Sequence, residues 1–191
     1  MLSLAFIATT TAGLLLGALL ILSWIDPSRR VWPPPKRSSW QYQVVWVLTN
    51  VAAVGIVAVG ILDWNTFVLD HWLRLPIGGG LALAGLALAL WGVRTLGIHR
   101  TLGLSEALIH AGPYRFTRNP QYVGDIALLL GWAIACNSLP TWIVSALGAA
   151  WFALAPFIEE PWLREQYGEA YDAYRRRVPR FLGRPARPGA A

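Results

Sequence analysis

Long apolar stretches alternate with short polar ones along this chain. From Leu4 to Ile25 there is no charged residue, and about 20 apolar residues in a helix suffice to cross the ~30 Å hydrocarbon core of a bilayer. No basic stretch precedes this run and no small-residue cleavage site follows it, so the pattern predicts a transmembrane helix rather than a cleaved leader. Further apolar runs occupy residues 44–62 and 75–96. Two shorter ones, 122–136 and 141–158, are separated only by Asn137 to Pro140, which predicts an antiparallel helical hairpin. The pattern is that of an all-α, polytopic membrane protein with about five transmembrane helices.

The polar connections sharpen this outline. Asp26 to Trp40 holds Arg29, Arg30, Lys36 and Arg37 around Pro33, Pro34 and Pro35, and serial prolines forbid a continuing helix. Asp63, Asp70, His71 and Arg74 mark the second connection, and residues 97–120, rich in Gly, Arg and Pro, form the third. Gly13 and Gly17 make a G-x-x-x-G step, and Gly78, Gly79 and Gly80 open the third run; without a preceding strand, close helix packing is the expected use of both. Beyond the fifth run, Tyr167, Tyr171, Tyr174 and Val178 recur at helical spacing among Arg164, Asp172, Arg175 and Arg176. That spacing predicts an amphipathic helix lying against the headgroups. Residues 1–182 are expected to form a single membrane-embedded domain, with 183–191 a disordered tail.

Composition agrees with lipid as the solvent: 55% of residues are hydrophobic and 14% charged, with a mean hydropathy of +0.46. The net charge of +6 would suit nucleic acid, but its distribution points elsewhere. The first connection, the third and the tail hold fourteen of the sixteen Lys and Arg residues. In a five-pass chain these lie on one side, which the positive-inside rule makes cytoplasmic, leaving the N-terminus outside. Cys136 is the single cysteine and has no internal disulfide partner, and His71, His99 and His110 lack the paired spacing of a metal site.

Charges beside lipid are costly and tend to face a cavity or a partner. Asp125 and the adjacent Glu159 and Glu160 are such charges. A helix-end cluster paired with nearby arginines is the plain account of the two glutamates. A second account arises from the segments around them. Residues 112–124 read Gly-Pro-Tyr-Arg, then Arg118, Pro120, Tyr122 and Gly124 at alternate positions; after the hairpin come Glu159, Glu160, Leu163, Tyr167, Gly168, Tyr171, Tyr174 and Val178-Pro179-Arg180.

This ordered string resembles the C-terminal half of the isoprenylcysteine carboxyl methyltransferase family and of its relatives, the membrane phospholipid methyltransferases, over about Leu104 to Phe181. The first three helices match only in being apolar. The resemblance implies a cofactor-binding half at 104–182 and a pocket for S-adenosylmethionine at the cytoplasmic membrane edge. It carries cofactor contacts onto Leu108, Ile109, Tyr114, Asn119, Pro120, Gln121, Tyr122 and Glu159, and singles out no catalytic residue. Asn119 stands where the isoprenylcysteine enzymes commonly have histidine, and Ala155 where they have the arginine implied in carboxylate recognition. The resemblance implies a methyltransferase acting on a lipophilic or lipidated acceptor drawn from the bilayer lipids, with no nucleic-acid partner. An NADPH-dependent enzyme like the sterol reductases, or a non-catalytic membrane scaffold, are the alternatives.

Overall fold

The computed structural model describes residues 1–68, 71–97 and 108–183. Asp70, His99, Arg100, the start of the 104–182 half and the tail beyond Gly183 lie outside the described residues. Among the described residues every regular element is helical. The long helices are α1 (Leu2–Ile25), α2 (Trp40–Leu62), α3 (Arg74–Leu96), α4 (Pro120–Cys136) and α5 (Leu139–Arg177), with 3-10 turns at Pro27–Arg29 and Gly112–Arg115. Four of the five are long and apolar enough to cross a membrane. The exception, α4, has 17 residues, about 26 Å at 1.5 Å per residue. Leu4, Val54 and Leu83, on α1, α2 and α3, are 74%, 71% and 69% exposed, an apolar exterior suited to acyl chains.

The bundle is two helix pairs, α1 with α2 and α3 with α4, joined by α5, which packs on α1, α2 and α4. The α3–α4 seam is the closest. A Cβ on Gly85 would lie 2.5 Å from the backbone N of Leu128, and one on Gly78 would lie 2.6 Å from that of Ala135. Glycine at these positions lets two backbones meet where no side chain fits, and lipid offers no hydrophobic drive to replace that contact. Gly78 therefore has the packing role expected of it, whereas Gly79 and Gly80 face open space. The G-x-x-x-G step behaves differently: Gly13 meets the Leu147 side chain at ordinary contact distance, and Gly17 has no neighbour within 4 Å.

The two ends of the bundle are built differently. At one, the segment after α2 is laced to the α4–α5 turn: the N–H groups of Asn65 and Phe67 donate to the carbonyls of Cys136 and Asn137 at 2.8 and 2.9 Å, and Ser138 Oγ donates to Asp63 at 2.7 Å. Asn137, left-handed at φ 48°, makes that turn. Arg74 lies over the Trp64 ring at 5.2 Å and donates to the carbonyl of Ala135, so a basic residue caps the C-terminal end of α4. At the other end meet the proline loop, the end of α3, the start of α4 and the middle of α5.

The apolar run at 141–158 is only the first half of α5. The helix continues past Pro156 and Pro161 to Gly168, whose φ of 54° and ψ of −132° break it, and a short arm, 169–177, follows. The tyrosine stripe expected at helical spacing is present on that arm, but it is turned onto the protein: Tyr171, Tyr174 and Val178 are buried against Leu108, Leu163 and Tyr167.

Candidate functional site

The end of the bundle that carries the proline loop holds a cavity of about 880 Å³ when its open mouth is included. Its wall takes Trp32 and Pro33 from the loop after α1, Leu96 from α3, Tyr122 from α4 and Glu159, Trp162 and Leu163 from α5, with Tyr171 and Tyr174 from the returning arm. Aromatic faces predominate.

The two adjacent glutamates have divided roles. Glu160 is buried and structural: Arg180 grips it with two parallel bonds, Nε to Oε1 and Nη2 to Oε2, each 2.7 Å. Arg118 Nη1 lies 3.0 Å from the same Oε1. Two guanidinium groups against one carboxylate compensate the desolvation of the buried charge. The accompanying main-chain bonds tie residues 117–119 to residues 179–180. Arg118 N–H donates to the Pro179 carbonyl at 2.9 Å, and the Thr117 hydroxyl and Asn119 amide both donate to the Arg180 carbonyl, at 3.1 and 2.9 Å. That use of Asn119 leaves α4 without a side-chain cap, and Pro120 at its first turn spares one N–H that would otherwise need a partner.

Glu159 faces the cavity instead. Its Oε1 accepts from the Trp32 indole N–H at 2.5 Å and from the Tyr122 hydroxyl; neither donor uses Oε2. Pro156 and Pro161 bracket the pair, and each removes a helical N–H, so the carbonyls of Phe152 and Phe157 lose their usual partners beside the site. Deeper in the bundle, Tyr122 packs edge-on against Trp151, which meets Trp32 in the same way at 5.5 Å. The Arg30 guanidinium lies 5.7 Å from the ring centroid of the wall residue Trp162.

The arm closes the far wall. Tyr174 donates its hydroxyl to the Tyr114 carbonyl at 2.7 Å, and the His110 ring sits 5.4 Å from that of Tyr174. Burial foremost pushes the phenols of Tyr114 and Tyr174 well above their usual range, with the Glu159 charge adding to the effect at Tyr114 and that phenol adding to it at Tyr174. Both stay protonated, and Tyr174 serves as a neutral donor. Arg164 reaches back across the Gly168 break to Asp172 at 3.0 Å and pins the arm.

Leu108, Ile109, Tyr114, Asn119, Gln121, Tyr122 and Glu159 thus share one cavity wall. Pro120 does not join them, since its ring is buried in the first turn of α4. Ala155, at the arginine position of the isoprenylcysteine enzymes, is fully buried among Leu16, Leu20, Val45 and Ile158 and presents no polar group. Sequence reasoning missed Trp32, Trp162, Tyr171 and Tyr174 as wall residues. The tyrosines were visible as a stripe, but only the break at Gly168 reveals which way the stripe faces.

Fold and site together define a membrane-embedded helical protein with a cavity at one end of the bundle, lined chiefly by α5 and by the loops that precede α2 and α4. The phospholipid methyltransferase family matches residues 73–170, half of the sequence, and the chain belongs to that family of integral membrane methyltransferases. It is 31% identical over 98 residues to phosphatidylethanolamine N-methyltransferase B of Dictyostelium discoideum, a stretch covering 48% of this chain and 49% of that protein. The chain therefore spans about half the length of the curated relative it matches. No solved structure is significantly similar to it.

Proposed function

We propose that this chain transfers a methyl group from S-adenosylmethionine to a lipophilic acceptor in the bilayer, with the amine of a phospholipid headgroup as the favoured class. The single observation that carries the reading is Glu159, held by two donors on one oxygen and facing a cavity rich in aromatic side chains. The kinship to a phosphatidylethanolamine N-methyltransferase supports an amine acceptor. The apolar Ala155 counts against the carboxylate acceptor of the isoprenylcysteine enzymes.

The wall suits the cofactor. A carboxylate oxygen left unused by its own donors is a partner for a cationic group, and the faces of Tyr122, Trp162 and Tyr167 suit a flat ring or a cation. When bound, S-adenosylmethionine supplies an electrophilic methyl group on a positively charged sulfur. The protein's share is alignment and exclusion of water, which fits a wall of aromatic side chains with one fixed charge. Leu108, Ile109, Tyr114, Asn119 and Gln121 complete the cofactor contacts in this reading, and residues 1–182 act as one domain with the N-terminus outside and the cavity on the cytoplasmic side.

The test is calorimetry on detergent-purified protein titrated with S-adenosylmethionine and, in parallel, with NADPH. Saturable binding of the first and not the second is expected. Glu159→Gln should weaken it by about tenfold or more, the worth of a lost charge-assisted contact. Binding of NADPH alone would favour the reductase alternative, and binding of neither at about 1 mM, an affinity too weak for a working site, would favour the scaffold. Incubation of labelled cofactor with phosphatidylethanolamine vesicles, followed by mass spectrometry, reads the acceptor directly.

A further inference from the structure

The family match begins at residue 73, yet the cavity wall includes Trp32 and Pro33, from the loop that follows α1. Trp32 is 5% exposed, and its indole N–H donates to Glu159 Oε1 at 2.5 Å across 127 positions of sequence. An indole in the middle of a proline-rich loop would not hold such a position unaided. Ser23, in the last turn of α1 and itself buried, supplies the anchor. Its hydroxyl accepts the backbone N–H groups of both Val31 and Trp32, at 2.9 and 3.1 Å, and donates to the Leu19 carbonyl at 2.8 Å. The hydroxyl thus donates once and accepts twice, which is its full capacity. Trp151 then braces the indole edge-on.

We propose that Trp32, anchored by Ser23, is a positioning residue for Glu159: it holds Oε1 so that Oε2 is presented to the cationic group of the ligand, and the two N-terminal helices thereby complete the binding site. The assignment rests on the reading of Glu159 as a ligand contact. Charge-assisted bonds to a single oxygen fix the carboxylate plane as well as its place. Tyr122 alone leaves the side chain free to turn about that one bond. The loop and α1 thus contribute chemistry to a site whose recognisable motifs all lie in the second half of the chain.

The experiment uses the full chain in detergent, with thermal unfolding as a check on folding and calorimetry with S-adenosylmethionine as the readout. Trp32→Phe keeps a ring against Trp151 and removes the donor; it should weaken binding about tenfold, the usual worth of a hydrogen bond to a charged group. Ser23→Ala, at a residue that does not line the cavity and reaches it only through Trp32, should weaken it in the same direction. The double variant Trp32→Phe/Glu159→Gln should bind no more weakly than Glu159→Gln alone, because a residue acting through another adds nothing once that other is lost. Wild-type affinity in both Trp32→Phe and Ser23→Ala, or fully additive losses in the double variant, would overturn the assignment while leaving Glu159 in place. A wild-type protein that fails to bind the cofactor would overturn the underlying reading and this assignment with it.

Discussion

Arg180 grips Glu160 through two bonds of 2.7 Å each, while Glu159, one residue earlier, turns away to meet Trp32 and Tyr122. Neighbouring glutamates on a helix point about 100° apart, so one can serve the scaffold and the other the cavity. Opposite consequences follow from the same conservative change. Glu160→Gln leaves Arg118 and Arg180 facing a neutral amide in a buried place and should cost about 3 kcal/mol, near the lower end for breaking a buried pair because Arg180 is partly exposed. Glu159→Gln keeps an oxygen for both of its donors and should leave the melting temperature nearly unchanged while weakening ligand binding. Thermal unfolding of the two variants side by side in detergent separates the roles; equal loss of stability in both would refute the division.

The α3–α4 seam makes a second contrast, within one glycine-rich helix. A methyl group at Gly85 would press on the backbone of α4, and one at Gly124 would sit 2.6 Å from the backbone N of Ala89, whereas Gly79 and Gly80 have no neighbour within 4 Å. Gly85→Ala and Gly124→Ala should therefore destabilise by about 1–3 kcal/mol through forced separation of the helices. Gly79→Ala should be neutral or slightly stabilising, since alanine loses less entropy in a helix. Similar melting points for Gly85→Ala and Gly79→Ala would show that the seam is looser than described.

Most of the bundle was legible because lipid enforces it: backbone groups without water must close their own hydrogen bonds, so each uncharged run has to be a helix. The continuation of α5 was not legible. Hydropathy collapses at Glu159 and two prolines interrupt the pattern, yet the helix survives because its polar half is packed against the protein's own loops. The arrangement of the tyrosine stripe was hidden for a related reason. Periodicity reveals that Tyr171 and Tyr174 share a face, but lipid headgroups and a protein cavity make the same demand on that face. Trp32 left no local signal at all, because its partner lies 127 positions away and aromatic residues are common everywhere in this chain. The grouping of Tyr114, Asn119, Gln121 and Tyr122 was readable only as a resemblance, and the lacing of residues 117–119 to residues 179–180 is its physical basis.

Gly168 carries the return of the arm. Its φ of 54° with ψ of −132° lies in a region that side chains other than glycine enter only with strain, worth about 1–3 kcal/mol. Gly168→Ala should detach residues 169–177 from the cavity more readily than it melts the bundle. Limited proteolysis reads that directly: cleavage within the arm should accelerate while the unfolding temperature of the transmembrane helices moves little. An unchanged cleavage rate would mean that the arm is held by its contacts alone.

The buried phenols give the site a signature in alkaline solution. Tyr114 and Tyr174 have folded-state pKa values raised above the unfolded value of about 10. Between these limits the unfolded chain sheds protons that the folded chain keeps, so stability falls as pH rises. Their contribution is fully present below about pH 10 and is lost progressively above it. Tyr174→Phe removes both the proton and the bond to the Tyr114 carbonyl. At pH 7 it should cost about 1 kcal/mol for that bond. Above pH 10 its stability should fall less steeply than that of the wild type, so the two curves converge. Unfolding midpoints measured from pH 7 to pH 11 test this, and parallel curves would mean that the Tyr174 phenol already ionises in the folded protein at its ordinary pH.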